Sequence, residues 1–182
     1  MTTDDQFFEF CARNSEYRIE RAAEGRIVVL PGTSGRTGAR SAGLTSQLCI
    51  WSEQDGRGAS FDSSTLFRLP NTAMRSPDAA WVPLSRLRQL EERQKDQYLP
   101  LCPDFVVELT SPNDRLPEVQ DKMTEGMSMG CQLGWLLHPA AREVHIYRSS
   151  GVEILENPGE LTGDGPVAGF RLDLRRIWEL GW

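Results

Sequence analysis

Histidine and cysteine are scarce in this chain, and their scarcity narrows the chemistry open to it. Two histidines and four cysteines occur in 182 residues. Cys11, Cys49, Cys102 and Cys131 are far apart and form no CxxC pair, so a structural zinc site is not expected. Free thiols in a reducing cytoplasm are the expected state. No apolar run reaches the ~18 residues that a membrane-spanning helix needs. The opening Met1-Thr-Thr-Asp-Asp5 is acidic and lacks the basic-then-apolar order of a signal peptide. The expectation is a cytoplasmic protein with no membrane partner. A basic excess is missing too. The net charge of −6 argues against non-specific holding of a nucleic-acid backbone, though it leaves room for a local basic groove or a metal-assisted site. No internal repeat or low-complexity segment is visible, and the length fits one domain over residues 1–182.

What is present reads as a mixed α/β (α+β) domain with one main sheet. Phe7, Phe8 and Cys11 give Asp4 to Arg13 the spacing of a short amphipathic helix, with Thr3 as N-cap. Residues 17–31 read as a β-hairpin turning at Ala23-Glu-Gly25. Along its first strand Arg18, Glu20 and Ala22 share one side. The glycine-rich stretch Pro31 to Gly38 reads as a loop without the Gly-Lys-Ser/Thr ending of a phosphate-binding P-loop. A core helix is expected over 39–52. Short strands follow at 58–62 and 66–69, then an extended segment 73–82 and a charged helix 83–93. Phe105 to Leu109 is a strand, a helix starting at Pro117 runs to about Gly130, and three strands make a C-terminal β-meander. Residues 161–165 read as a loop and 171–180 as a terminal helix.

The stretch Cys102-Pro-Asp-Phe-Val-Val-Glu-Leu-Thr-Ser-Pro-Asn-Asp114 raises the sharpest chemical question. Glu108 is an acid inside an apolar strand, and a buried carboxylate must be paired, hydrogen-bonded or metal-bound. Asp78 opens another strand. If the two strands run antiparallel side by side, both carboxylates meet at one end of the sheet, where they favour a divalent cation. Oxygen-only ligation suits Mg²⁺ or Mn²⁺. Lys122 falls at the border of the apolar face of the following helix, so its ammonium can reach that end of the sheet. Each residue also has a plain structural role open to it. Asp78 can cap a turn, Glu108 can meet an arginine, Lys122 can pair with Glu118 at i,i+4, and Glu20 can be a surface charge.

Several short stretches occur together in order: Tyr17-Arg-Ile-Glu20, Gly25-Arg-Ile-Val-Val29, Phe67-Arg-Leu-Pro70, Ser76-Pro-Asp-Ala-Ala-Trp-Val82, Pro103 to Pro112, Asp121-Lys-Met123 and Gly134-Trp-Leu-Leu-His-Pro139. In these the chain resembles the bacterial Uma-two family of restriction-endonuclease-like proteins, a branch of the PD-(D/E)xK nuclease superfamily. The resemblance implies a restriction-endonuclease-like core and a Mg²⁺- or Mn²⁺-dependent endonuclease acting on DNA. Asp78 and Glu108 would hold the metal, with the backbone carbonyl of Leu109 beside them. The superfamily lysine normally stands two residues after the second acid, where this chain has Thr110. The resemblance places that function on Lys122 and makes Glu20 an additional catalytic acid. It also implies a tyrosine four residues after the lysine, where this chain has Gly126, a position whose place in the apolar face predicts close packing against the sheet. Cutting both strands calls for two sites, hence a homodimer or higher homo-oligomer. Trp178 and Trp182 could line that contact or pack internally. Gly126 and the acidic balance equally suit a nuclease fold kept as a silent binding or assembly module.

Overall fold

The computed structural model describes residues 3–30 and 32–182; Pro31, at the end of the expected hairpin, lies outside them. Helix α1 (Asp4–Arg13) starts at Thr3, whose hydroxyl accepts from the Gln6 N–H while the Gln6 side chain accepts from Thr3 in return. Strands β1 (Arg18–Arg21) and β2 (Ile27–Leu30) form the hairpin. Helix α2 (Gly35–Asp55) begins inside the expected glycine-rich loop, because Ser34 caps it through the Thr37 N–H, and it stops at Gly56 in a left-handed conformation.

The extended segment expected over 73–82 is two strands in two sheets. Strand β3 (Gly58–Asp62) precedes β4 (Phe67–Arg68), β5 (Met74–Arg75) and β6 (Ala79–Pro83). Ser76, Pro77 and Asp78 carry the chain from one sheet to the other. The expected helix 83–93 is reduced to two single turns, α3 (Leu84–Leu87) and α4 (Glu92–Lys95). Then come β7 (Phe105–Leu109), α5 (Leu116–Ser128), β8 (Leu133–His138), β9 (Glu143–Arg148) and β10 (Gly151–Glu156). The C-terminal loop and helix expected from sequence instead hold a small ribbon, β11 (Glu160–Thr162) and β12 (Arg171–Asp173), before one turn of helix, α6 (Arg175–Trp178). Alternation in Arg171-Leu-Asp173 pairs with Glu160-Leu-Thr162, which a helical count cannot see.

Among the described residues the single main sheet is thus one of three. Six strands run β10-β9-β8-β7-β6-β3, four run β2-β1-β5-β4, and β11 pairs β12. All contacts in the large sheet are antiparallel except β7 with β8, which α5 joins as a crossover. Strand β7 is central and buried on both faces, as its near-continuous apolar sequence requires. Phe105, Val107 and Leu109 pack on one face against Leu44 and Leu48 of α2 and against the C-terminal segment, where Phe170 stacks on Trp135. Val106 and Leu136 pack on the other face against Met123 of α5 and Phe67 and Leu69. By alternation Glu108 lies on that second face, under α5. Helix α5 can approach closely there because Gly134 leaves room for Met123, whose Cε lies 2.4 Å from where a Cβ at Gly134 would be. Trp178 is buried in the first face and Trp182 is exposed. All four cysteines are free.

Candidate active site

Strands β6 and β7 pair antiparallel with Ala79 opposite Val107, so Asp78 stands level with the end of β7. Its Oδ2 accepts the Leu109 N–H at 2.8 Å, and its Oδ1 lies 2.9 Å from Nη1 of Arg18. Because N–H and C=O of a strand residue leave on the same side, the Leu109 carbonyl also faces the Asp78 side.

Glu108 is only 7% exposed. Its Oε1 meets Lys122 Nζ at 2.7 Å, and the same ammonium lies 2.8 Å from Oε1 of Glu20. Lys122 is therefore not paired with Glu118, which sits near Arg115 instead. Glu20 is no surface charge either. It is 2% exposed and accepts the Ser76 N–H at 2.9 Å, with Arg75 Nη1 at 3.4 Å. Arg75 Nε also holds Glu125 at 2.6 Å, and Asn71 holds that carboxylate's other oxygen at 2.9 Å. The hairpin, the β5–β6 crossing, β7 and α5 thus converge on one cluster.

The electrostatics follow from burial and charge. Burial pushes the Glu108 carboxyl up; Lys122 pulls it down, but Asp78 and Glu20 add to the rise, and it reaches about 7. Burial disfavours the ammonium of Lys122, yet Glu108 and Glu20 outweigh it and the pKa is raised, so Lys122 stays protonated. For Glu20, burial is outweighed by Lys122, the Ser76 N–H and Arg75, and the carboxyl is held below its usual value. Four carboxylates, Glu20, Asp78, Glu108 and Glu125, face three cations, Arg18, Arg75 and Lys122. The cluster thus holds one carboxylate more than its cations, and Glu108 is the one whose pKa is raised, chiefly by burial.

That surplus fits a cation. Among the described residues no three His, Cys, Asp or Glu side chains gather as a metal site. The donors available are two carboxylates, Asp78 and Glu108, and the Leu109 carbonyl. This sparse, all-oxygen set suits an ion that keeps several waters, as Mg²⁺ does. It does not suit zinc.

Thr110 is turned to another use. Its hydroxyl lies 2.8 Å from His138 Nδ1. Gly126 does not pack tightly against the sheet as expected, since among the described residues nothing lies within 4 Å of where its Cβ would be. It borders a cavity of about 30 Å³ shared with Phe67, Met123, Glu108 and Lys122. The main cluster opens into a cleft of about 950 Å³ between the hairpin, the start of α2 and the 111–115 loop. Asp114, Glu118 and Asp121 line it together with Arg26 and Arg115. Sequence reasoning passed over Arg18, although strand alternation already placed it beside Glu20. Arg75 and Glu125 carry no local signal, because they are 50 residues apart.

The sequence matches the Uma-two family model, described as "Putative restriction endonuclease", over residues 4–175. The chain belongs to the Uma-two family. Among solved structures, one from Anabaena variabilis described as a "putative nuclease belonging to DUF820" matches with a TM-score of 0.74 at 21% identity, covering 88% of this chain and 89% of that one. At that identity the likeness carries the fold. No curated protein is significantly similar in sequence. Membership and fold together make this Uma-two protein nuclease-like, with a nucleic acid as the substrate class. Restriction-endonuclease-like nucleases generally use divalent metals. No helix among the described residues is long and apolar enough to cross a membrane.

Proposed function

We propose that this Uma-two protein is a Mg²⁺- or Mn²⁺-dependent endonuclease that hydrolyses DNA phosphodiester bonds at the floor of the cleft. The observation that carries this reading is the meeting of Glu20, Glu108 and Lys122 within 2.8 Å contacts, with Asp78 tied to Leu109 beside them. Asp78, Glu108 and the Leu109 carbonyl would hold the cation. Bound there, a divalent ion supplies Lewis-acid activation of water and charge compensation on phosphate. Lys122, kept as an ammonium by its two carboxylates, donates hydrogen bonds to the attacking water or to a scissile phosphate oxygen, where negative charge develops. It is not a base, because its neighbours hold its proton. Glu20 orients Lys122. A homodimer or higher oligomer would supply a second site for the second strand.

Supercoiled plasmid reports this activity directly. Wild-type protein should nick it with Mn²⁺ or Mg²⁺ and not with chelator. Asp78→Asn and Lys122→Met should each lose about 100-fold or more in rate. Wild-type protein that nicks nothing under any divalent ion overturns the proposal. The acidic lining of the cleft at Asp114, Glu118 and Asp121 favours the second reading, a silent nuclease fold used for binding or assembly. That module need take up no Mn²⁺, which calorimetric titration detects.

A further inference from the structure

Arg18 is a cation for which the chemistry above has no use. It precedes Glu20 by two residues on β1, so both side chains leave one face of the strand. Its Nη1 lies 2.9 Å from Asp78 Oδ1, and its Nη2 donates to the Ser76 carbonyl. A guanidinium therefore answers the charge of Asp78, an acid proposed to hold the metal.

Two further observations show that this arrangement is not a finished structural anchor. The Arg18 Nε–H is shielded from solvent and meets no acceptor among the described residues. Buried polar groups are ordinarily bonded, and an orphaned donor is costly. The side chain as a whole keeps 31% exposure and lines the cleft, so its long stem has somewhere to go.

We infer that Arg18 is the exchangeable partner of Asp78: it neutralises that carboxylate while no divalent cation is bound, and turns to a substrate phosphate when a cation takes Asp78. This rests on the metal-dependent reading above. Two cations on one carboxylate repel, so the ion and the guanidinium compete for Asp78. Once displaced, the planar fork of Arg18 matches the oxygens of a phosphate, and its Nε–H gains the acceptor it lacks. Arg18 is thus a positioning residue that links metal occupancy to substrate grip.

Calorimetric titration of Mn²⁺ into the full chain, without DNA, tests the exchange. Arg18→Met removes the competitor, so its Mn²⁺ affinity should rise about tenfold or more, the scale of a neighbouring charge lost. It should also melt lower than wild type without metal and regain stability with Mn²⁺. Arg18→Lys keeps the charge and should bind Mn²⁺ as wild type does. Arg18→Gln, smaller and still able to donate to Ser76, replaces Arg18→Met if that variant does not fold. A residue that merely supports the fold would loosen the metal site when removed. Unchanged or weaker Mn²⁺ binding by the folded, uncharged variant therefore overturns the exchange alone. No Mn²⁺ uptake by wild type or any variant overturns the metal-dependent reading and the exchange with it.

Discussion

Lys122 and Glu20 meet at 2.8 Å although 102 residues separate them, one on a helix over the six-stranded sheet and the other on a strand of the four-stranded one. The pair fastens two sheets together at the site. Removing one partner of a buried pair leaves the other charge uncompensated, which costs more than the pair itself contributes. Glu20→Ala should destabilise the protein by about 3 kcal/mol, read from urea unfolding near neutral pH. The pH dependence has a definite sign. The Glu20 carboxyl is held below its ordinary 4.5, so its contribution is present above that value and lost as pH falls through the lower folded value. The gap between wild type and Glu20→Ala should therefore close in acid. A gap constant with pH would show that the loss is packing and not charge.

Glu108 titrates the other way. Its folded value of about 7 lies above the ordinary 4.5, so between those values the folded protein keeps a proton that the unfolded chain has lost. This group's contribution is full below 4.5 and is lost as pH rises through 7. A cation must displace that proton. Mn²⁺ affinity should climb from about pH 6 to about pH 8, with close to one proton released per ion at the lower pH and almost none above the range. Titrations in buffers of different ionisation enthalpy count the protons. Proton release that does not change across the window would place the metal away from Glu108.

Much of this site is legible in the chain because it depends on strand register. Antiparallel pairing of a strand that begins at Asp78 with one that ends near Glu108 brings those acids to one end, and the pairing is observed. Lys122 is legible from the helical period. Its partners are not, since the i,i+4 rule offers Glu118 and the fold supplies Glu20 and Glu108. Glu20 reads as a surface charge because a four-residue strand shows its alternation and not what covers it. The covering group comes from the β5–β6 crossing, which sequence reasoning reads as one extended segment. The C-terminal ribbon is missed for the same reason. Its three-residue strands exist through their pairing, and Leu161 and Leu172 are buried only because each faces the α2 side of the large sheet.

Gly126 lies in the interior of α5 with open space where a side chain would begin. Its cost is then that of a glycine in a helix, about 1 kcal/mol relative to alanine. Gly126→Ala should raise stability by about that amount and the melting temperature by about 2–4 °C. Mn²⁺ affinity should not change, because none of the proposed metal donors touches the new methyl. A lower melting temperature would show that the helix sits closer to the sheet than the open cavity indicates.

Gly58 makes the opposite case on the opposite face. A Cβ there would lie 2.1 Å from Cε2 and Cζ2 of Trp81, atoms of a rigid ring. The indole cannot step aside freely. Its Nε1 donates to Ser52 Oγ at 3.1 Å, the Ser52 hydroxyl donates to the Gly58 carbonyl at 3.2 Å, and Trp51 packs 6.0 Å away. Gly58→Ala should cost about 1–3 kcal/mol through overpacking. Trp81 faces the α2 side while Asp78, just before the same strand, stands beside the cluster under α5, so the folded variant should keep its Mn²⁺ affinity. Adding Trp81→Phe shrinks the ring that the new methyl strikes. The double variant should then be more stable than the sum of its single losses allows, because contacting residues couple. Strictly additive losses in urea unfolding would show that the Gly58 cost lies in the backbone and not in the contact with Trp81.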